Sequence, residues 1–289
     1  MPDAITTLYA DHARGFRANR FVYPVLSRRS RGISIGVNLN PDKVCNFDCI
    51  YCQVDRRSEA ETRFVETDRL VAELDAMCAF VKSGEIYGDP KFADVPPALR
   101  RLNDVAFSGD GEPTTYRNFD DIIAEAAAAK NRHALFGVKM VLITNASMFH
   151  RPAVRRGLEI LDDNNGEIWA KLDAGSEDYY RLIERTKVPF RQVLENITAA
   201  AQRRPLVIQS LFMRVRGEAP SAEEIAAYCD RLNEITSAGG RLKLVQIYTV
   251  ARRPAESYVT HLTKNTVDEI AQTVAQRTGL AVDAYYGPE

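Results

Sequence analysis

This 289-residue sequence has one tryptophan, four histidines and five cysteines. Five cysteines in a chain of this length do not make a disulfide framework, so a small stapled extracellular fold is excluded. No apolar run approaches the roughly 20 residues that span a bilayer, which excludes a helical membrane protein. Neither sign of charge is in excess: 38 basic and 39 acidic side chains leave a formal charge of -1. Overall charge therefore offers no general attraction to nucleic acid or to a membrane surface. The opening residues MPDAITTLYA carry an acid and no apolar centre, so they are not read as a secretory leader. No internal repeat and no low-complexity segment occurs. The histidines His12, His133, His150 and His261 are dispersed, without metal-ligand spacing.

What is present is an ordinary globular composition, 45% hydrophobic and 27% charged. Short runs rich in Val, Ile, Leu and Tyr alternate with longer stretches of helical period. The pattern predicts strands at 32–39, 104–108, 138–144, 167–173, 206–214 and 242–249, with a weaker one at 280–285. Helices are predicted at 68–82, 119–130, 152–161, 176–185, 190–203, 221–237 and 266–277. Ser221 and Glu224 have the spacing of a capping box at the start of one of them. Such alternation implies an α/β fold with parallel strands joined by right-handed crossovers. The same pattern suits a closed barrel, a partial barrel or an open doubly wound sheet. In all three, the site lies at the C-terminal ends of the strands. No linker divides the chain, and one domain is expected.

Residues 44–53 read VCNFDCIYCQ and follow the first predicted strand directly. Three of the five cysteines fall here within eight residues, which points to metal in a reducing compartment and hence to a cytoplasmic protein. Structural zinc requires four protein ligands, and no fourth Cys or His stands nearby. An electron-transfer ferredoxin site also uses four cysteines. Three thiolates on one loop suit a cubane cluster instead, each binding one iron and leaving the fourth iron open to a small chelating molecule.

Cys45, Cys49 and Cys52, with aromatic Tyr51 before the last of them, resemble the signature of the radical S-adenosylmethionine (SAM) superfamily. The resemblance covers roughly residues 32–286. It implies a partial (β/α)6 TIM-like barrel at 32–286, preceded by an arginine-rich extension at 1–31, in a single domain of residues 1–289. It also implies two cofactors, a [4Fe-4S] cluster and SAM. An electron from the cluster would split SAM, and the resulting 5′-deoxyadenosyl radical would take hydrogen from a substrate. An external electron donor such as flavodoxin or ferredoxin is implied with them.

Further motifs at strand ends extend the resemblance. Ser108-Gly109-Asp110-Gly111-Glu112-Pro113-Thr114 is similar to the superfamily's Gly-Glu-Pro motif, whose carbonyls receive the SAM amino group. Small residues suit a ligand that approaches the main chain closely. Asn145, Lys171 and Asp173 stand where the resemblance implies contacts to the SAM carboxylate and ribose. Alternatively, Asp173 caps the next helix and Asn145 makes a turn. Gln209 and Arg214, with Ser210, are placed on the predicted fifth strand, and Tyr248 and Val250 on the sixth, where adenine contacts are implied. Cys78 and Cys229 lie within helical runs and read as small buried hydrophobes.

From His12 to Pro41 there are six arginines, Arg14, Arg17, Arg20, Arg28, Arg29 and Arg31, and no acid. Arginine suits bidentate pairing with carboxylate or phosphate, so Arg28, Arg29 and Arg31, with Arg214, are candidate contacts to an anionic substrate. The other reading is a solvated surface paired with acids elsewhere. Together GVNLNPDKVCNFDCIYCQVDR, FSGDGEPT, ITNAS and KLDAG resemble a bacterial group related to wyosine synthases, although the extra cysteine triplet of those enzymes is missing. The Gly-Glu-Pro motif is also similar to that of RNA methyltransferases of the superfamily, whose catalytic cysteine pair has no match here. The leading expectation is a radical SAM enzyme acting on a small anionic molecule or peptide, with no membrane partner. A radical SAM enzyme modifying RNA stands second. A non-catalytic iron-sulfur carrier or zinc module stands third.

Overall fold

The computed structural model describes residues 16–55, 58–60 and 62–287. His12 and Arg14 lie outside the described residues. The chain forms two compact units. The first takes in the described residues up to Val44, Ala60–Ile143 and Arg151–Glu167; the second takes in Cys45–Glu59, Thr144–His150 and the chain from Ile168 onward.

In the first unit, β1 (Val22–Ser27) runs antiparallel to β2 (Gly32–Val37). Strands β3 (Leu102–Phe107) and β4 (Lys139–Thr144) follow in parallel, with Asp104 opposite Lys139. The helices α1 (Thr67–Lys82), α2 (Phe119–Arg132) and α3 (Pro152–Asp163) bury apolar stripes, for example Leu70, Leu74, Met77 and Val81 of α1. Buried Glu73 on α1 would be costly without partners. It accepts from the main-chain N–H of Arg20, Phe21 and Val22 and from Arg69, tying α1 to the entry of β1. Gly157 lets α3 close on α2, since a Cβ there would lie 2.5 Å from the Phe119 ring.

β1 was not expected, because Pro24 sits at its centre. Proline supplies no N–H to a ladder and is tolerated on edge strands. Among the described residues β1 pairs with β2 alone, so it is such an edge. Its buried Tyr23 covers Gly36 and donates to the Ser108 carbonyl at 3.1 Å.

In the second unit the order is β5 (Gly166–Lys171), α4 (Glu177–Glu184), α5 (Phe190–Arg203), β6 (Leu206–Leu211), β7 (Arg214–Val215), α6 (Ala222–Ser237), β8 (Leu242–Tyr248), β9 (Val259–Thr260), α7 (Lys264–Thr278) and β10 (Val282–Tyr285). β5, β6, β8 and β10 pair in parallel, each joined to the next by at least one helix. The alternation expected from the sequence is present in both units, with several boundaries corrected: the strands predicted at 32–39 and 167–173 end at Val37 and Lys171, and two further shifts move site residues. The strand predicted at 206–214 ends at Leu211, and Arg214 belongs to the separate two-residue β7, antiparallel to β9. The strand predicted at 242–249 ends at Tyr248, so Val250 is a buried loop residue.

Half of the expected capping box forms. Ser221 accepts from the Glu224 N–H at 3.2 Å. The Glu224 carboxylate does not return to the cap. It accepts instead from Gly175 N–H at 2.6 Å and from Ser176, at the N-terminus of α4. Among the described residues, no helix is long and apolar enough to cross a membrane.

Candidate active site

In the second unit, Cys45, Cys49 and Cys52 are half-buried thiols, none in a disulfide, on a loop without regular structure. Among the described residues no three His, Cys, Asp or Glu side chains gather closely enough for one metal ion. The loop main chain turns at the Cys52 N–H, which donates to the Cys49 carbonyl at 3.0 Å. Asp48 and Ile50 donate to the carbonyls of Glu184 and Ile183, at 3.2 and 2.9 Å. Arg185 donates to the Asp48 carbonyl at 2.7 Å, and Thr186 to that of Asn46 at 2.8 Å.

Beside the loop lies a buried chain of polar side chains. The Cys49 sulfur is 2.7 Å from Glu184 Oε2. The Tyr51 hydroxyl is 2.8 Å from Glu184 Oε1 and 2.5 Å from Asp173 Oδ2. Lys171 pairs with Asp173 at 2.8 Å and donates to the Tyr248 hydroxyl at 3.0 Å, with its ammonium 5.0 Å from the Tyr51 ring centroid. Asp173 Oδ1 accepts from Leu211 N–H at 2.6 Å. Tyr51 has a single O–H proton for two carboxylates, so one carboxylate must keep its own. Loss of water, then the charge of Asp173, pushes the Glu184 carboxyl up to about 8, which makes Glu184 the protonated one. Burial, and then Glu184, also raises the Cys49 thiol well above its usual range. Burial opposes the Lys171 charge, but Asp173, Tyr248 and Glu184 outweigh it and hold the ammonium well above its ordinary value.

Asp173 is therefore not a helix cap. Ser176 caps α4, accepting from Tyr179 N–H at 3.3 Å. Asn145 makes the expected turn and adds a bond that was not expected. Its oxygen accepts from Ser147 N–H at 3.0 Å, making a turn, while its amide donates to Asn46 of the cysteine loop at 2.9 Å. Ala146, at φ 58°, holds a left-handed conformation that costs a side-chain-bearing residue about 1–2 kcal/mol. Asn196 braces it through the Ala146 and Ser147 carbonyls. Lys171, Gln209 and Gln246 stand in one register across β5, β6 and β8. Gln209 donates to Gln246 at 2.8 Å, and its own buried carbonyl oxygen has no partner among the described residues. Arg214 donates to the Gly217 carbonyl within its own turn.

The glycine motif belongs to the first unit, in the turn after β3. Asn38 organises it, donating to Asp110 Oδ2 at 2.8 Å and accepting from Asp110 N–H at 3.2 Å. Glu112 is buried and caps the short turn Pro113–Thr115, accepting from Thr114 N–H at 3.1 Å. A Cβ on Gly109 would lie 2.1 Å from Asn38 Oδ1, and one on Gly111 would lie 2.2 Å from the Val44 carbonyl. The missing side chains thus let the turn close on residues 38–44 of the same unit.

The arginines lie elsewhere in that unit. Arg17 pairs with Asp89 at 2.9 Å and Arg20 with Glu66 at 3.9 Å. Arg28, Arg29 and Arg31 lie on the β1–β2 turn, at the end of β2 opposite Asn38. Six strand residues separate the two ends, roughly 20 Å. Cys78 and Cys229 are fully buried, as expected of inert thiols, and burial raises Cys78 to about 12.

Asn38, Asn46, Glu184 and Gln246 were not singled out by the sequence. For Glu184 there was a signal. It falls four residues after Tyr180, on the stripe that α4 buries with Ile183. An acid on a buried stripe needs a partner. Asn38, Asn46 and Gln246 carried no comparable mark.

The description of the radical SAM superfamily matches residues 39–229, about two thirds of the chain. The chain belongs to the radical SAM superfamily. Radical SAM enzymes use a [4Fe-4S] cluster and SAM, and this chain's α/β fold with mostly parallel strands is of their class. Such an enzyme needs an electron donor and a substrate. Among curated relatives, a UPF0026 protein of Helicobacter pylori strain 26695 is 28% identical over 222 residues, 73% of this chain and 62% of that protein. A protein of Brachyspira hyodysenteriae named GTPase Obg is 26% identical over 172 residues, 58% of this chain and 21% of that protein. The chain thus spans between about one fifth and three fifths of the length of these relatives. A solved structure of TYW1 with a lysine-pyruvate adduct bound aligns with TM-score 0.48 at 16% identity, covering 94% of this chain and 81% of that one.

Proposed function

We propose that Cys45, Cys49 and Cys52 hold the [4Fe-4S] cluster and that the protein generates a radical from SAM to take hydrogen from a small molecule or peptide. The observation that carries this reading is the loop itself: three half-buried thiols, none in a disulfide, whose main chain is fixed on both sides of Cys49. The donor set fits a cubane, which takes one thiolate per iron, and leaves one iron for SAM. When bound, the cluster supplies the electron that splits SAM into methionine and a 5′-deoxyadenosyl radical.

The protein's share is to bind, orient and keep out water. We assign Gly109, Asp110, Gly111 and Glu112 to the SAM amino group, and Asn145, Lys171 and Asp173 to its carboxylate and ribose. Tyr51, Gln209, Tyr248 and Val250 complete the SAM set. The buried, unpartnered oxygen of Gln209 supports its part, since it needs a donor. The superfamily match runs through segments of both units, which supports reading residues 1–289 as one catalytic domain with its core at 32–286. A cytoplasmic setting and a flavodoxin or ferredoxin donor belong to the same proposal.

Anaerobically reconstituted protein is expected to carry about four irons per chain. Cys45→Ala, Cys49→Ala and Cys52→Ala should each abolish it, whereas Cys78→Ala and Cys229→Ala should not. One tightly held zinc and no iron would sink the reading. With dithionite and SAM the parent should release 5′-deoxyadenosine, and deuterium passing into it from a labelled candidate identifies the substrate.

An RNA substrate is the second reading, resting on the arginine run. Arg17 and Arg20 are already paired with acids. Bulk tRNA should bind weakly, with log affinity falling against log salt at a slope of at most about 2, that of one or two engaged arginines at about 0.7–0.9 per neutralised phosphate. A steeper slope, flattened by changing Arg28, Arg29 and Arg31 together to Ala, would put RNA first.

A further inference from the structure

We infer that residues 183–186, at the C-terminal end of α4, are the seat of the cysteine loop, and that Glu184 is a positioning residue that fixes the Cys49 sulfur for iron. This rests on the cluster reading above and adds to it a residue outside the cysteine motif. Four consecutive residues meet the loop. The carbonyls of Ile183 and Glu184 accept from Ile50 and Asp48, and the side chains of Arg185 and Thr186 donate to the carbonyls of Asp48 and Asn46. The exposed last turn of a helix offers carbonyls without intrahelical partners, and here the loop's N–H groups take two of them. Arg185 stands at φ 44°, the left-handed position that ends the helix and turns its side chain's segment toward the loop.

Glu184 then reaches past the main chain. One carboxyl oxygen lies 2.7 Å from the Cys49 sulfur and the other 2.8 Å from the Tyr51 hydroxyl. Tyr51 is anchored in turn by Asp173, and Asp173 by Lys171 and the Leu211 N–H. The orientation of one sulfur is thus set by a chain of contacts ending on β5 and β6. Groups that orient a metal ligand in this way are worth about 10–100-fold in metal affinity when removed. Glu184 is almost fully buried, and the Tyr51 hydroxyl, which it holds, also bears on the Cys49 sulfur.

The test is iron release from the reconstituted protein to a chelator, with the reduced cluster's electron paramagnetic resonance spectrum recorded alongside. Glu184→Ala should lose iron at least about ten-fold faster than the parent and shift the spectrum, with the melting temperature of its metal-free form recorded to separate lost retention from lost fold. Glu184→Gln, which keeps the size and offers an N–H to sulfur, should restore most of the retention. Thr186→Val, which removes the bond to the Asn46 carbonyl together with the local one accepted from Val188 N–H, should speed release several-fold even if Glu184→Ala fails to fold. Leu182→Ala, an exposed neighbour on α4, should change nothing. Parent-like release from both Glu184→Ala and Thr186→Val, with four irons in the parent, would overturn this inference alone. A parent that takes up no iron would overturn the cluster reading and the inference together.

Discussion

Gly111 shows how one absent side chain serves two neighbours. The space a Cβ would need is filled by the Val44 carbonyl and Asn40, so a substitution meets main chain next to Cys45 before it meets any ligand. At Gly109 the nearest obstacle is the Asn38 side chain rather than a main-chain carbonyl. Gly111→Ala should therefore cost more than Gly109→Ala, with overpacking of about 1–3 kcal/mol. It should also lower the iron retained on reconstitution, because Val44 carries the backbone into the first cysteine. Denaturant melts and iron content of the two variants check this; an unchanged iron content in Gly111→Ala would show that Val44 can shift without disturbing Cys45. The sequence marked Gly109 and Gly111 as special, but assigned their small size to ligand approach. The tightest contact is internal.

At the scale of the element, α6 and the N-terminus of α4 are joined by one carboxylate. Glu224 leaves its own cap to satisfy Gly175 and Ser176, and Gly175 in turn lies where a Cβ would be 2.0 Å from the Tyr228 N. Glu224→Ala should destabilise the protein by about 1–3 kcal/mol, the cost of leaving buried donors without an acceptor. An effect near that of a lost surface cap, a few tenths of a kcal/mol in a denaturant titration, would mean water replaces the carboxylate. The spacing of Ser221 and Glu224 correctly located the start of α6. It could not show that Glu224 points across to another helix, because side-chain direction at a cap is decided by what packs above it. Likewise, Pro24 concealed β1: strand propensity describes an interior position, and only the sheet shows that β1 is an edge.

Stability against pH is a property of the whole molecule to which one buried base contributes clearly. Lys130 is 2% exposed, and its amine donates to the Val138 and Asn164 carbonyls, two acceptors and no acid. Burial lowers its pKa below the ordinary lysine value. Between that lowered value and about 10.4, the unfolded chain holds a proton the folded chain has released, so this group makes stability rise with pH there. The parent should gain on Lys130→Met as pH is raised toward about 10 in denaturant titrations. A constant difference between the two would show that the ammonium stays charged in the fold.

Local chemistry sufficed for the sequence to determine the alternation of strands and helices, the three-cysteine loop and the glycine turn. Periodicity records which face of an element is apolar, and a short motif carries its own geometry. Tertiary structure alone decided the partners of Cys49. Glu184 is 135 residues away in sequence, and nothing in the spacing of either segment specifies that the end of α4 meets the loop. It also decided the places of the arginines, some paired with acids and three on a turn at the far end of β2, because a run of charge in sequence carries no direction in space. Long-range hydrogen bonds such as these depend on how the elements pack, and packing depends on every buried side chain at once.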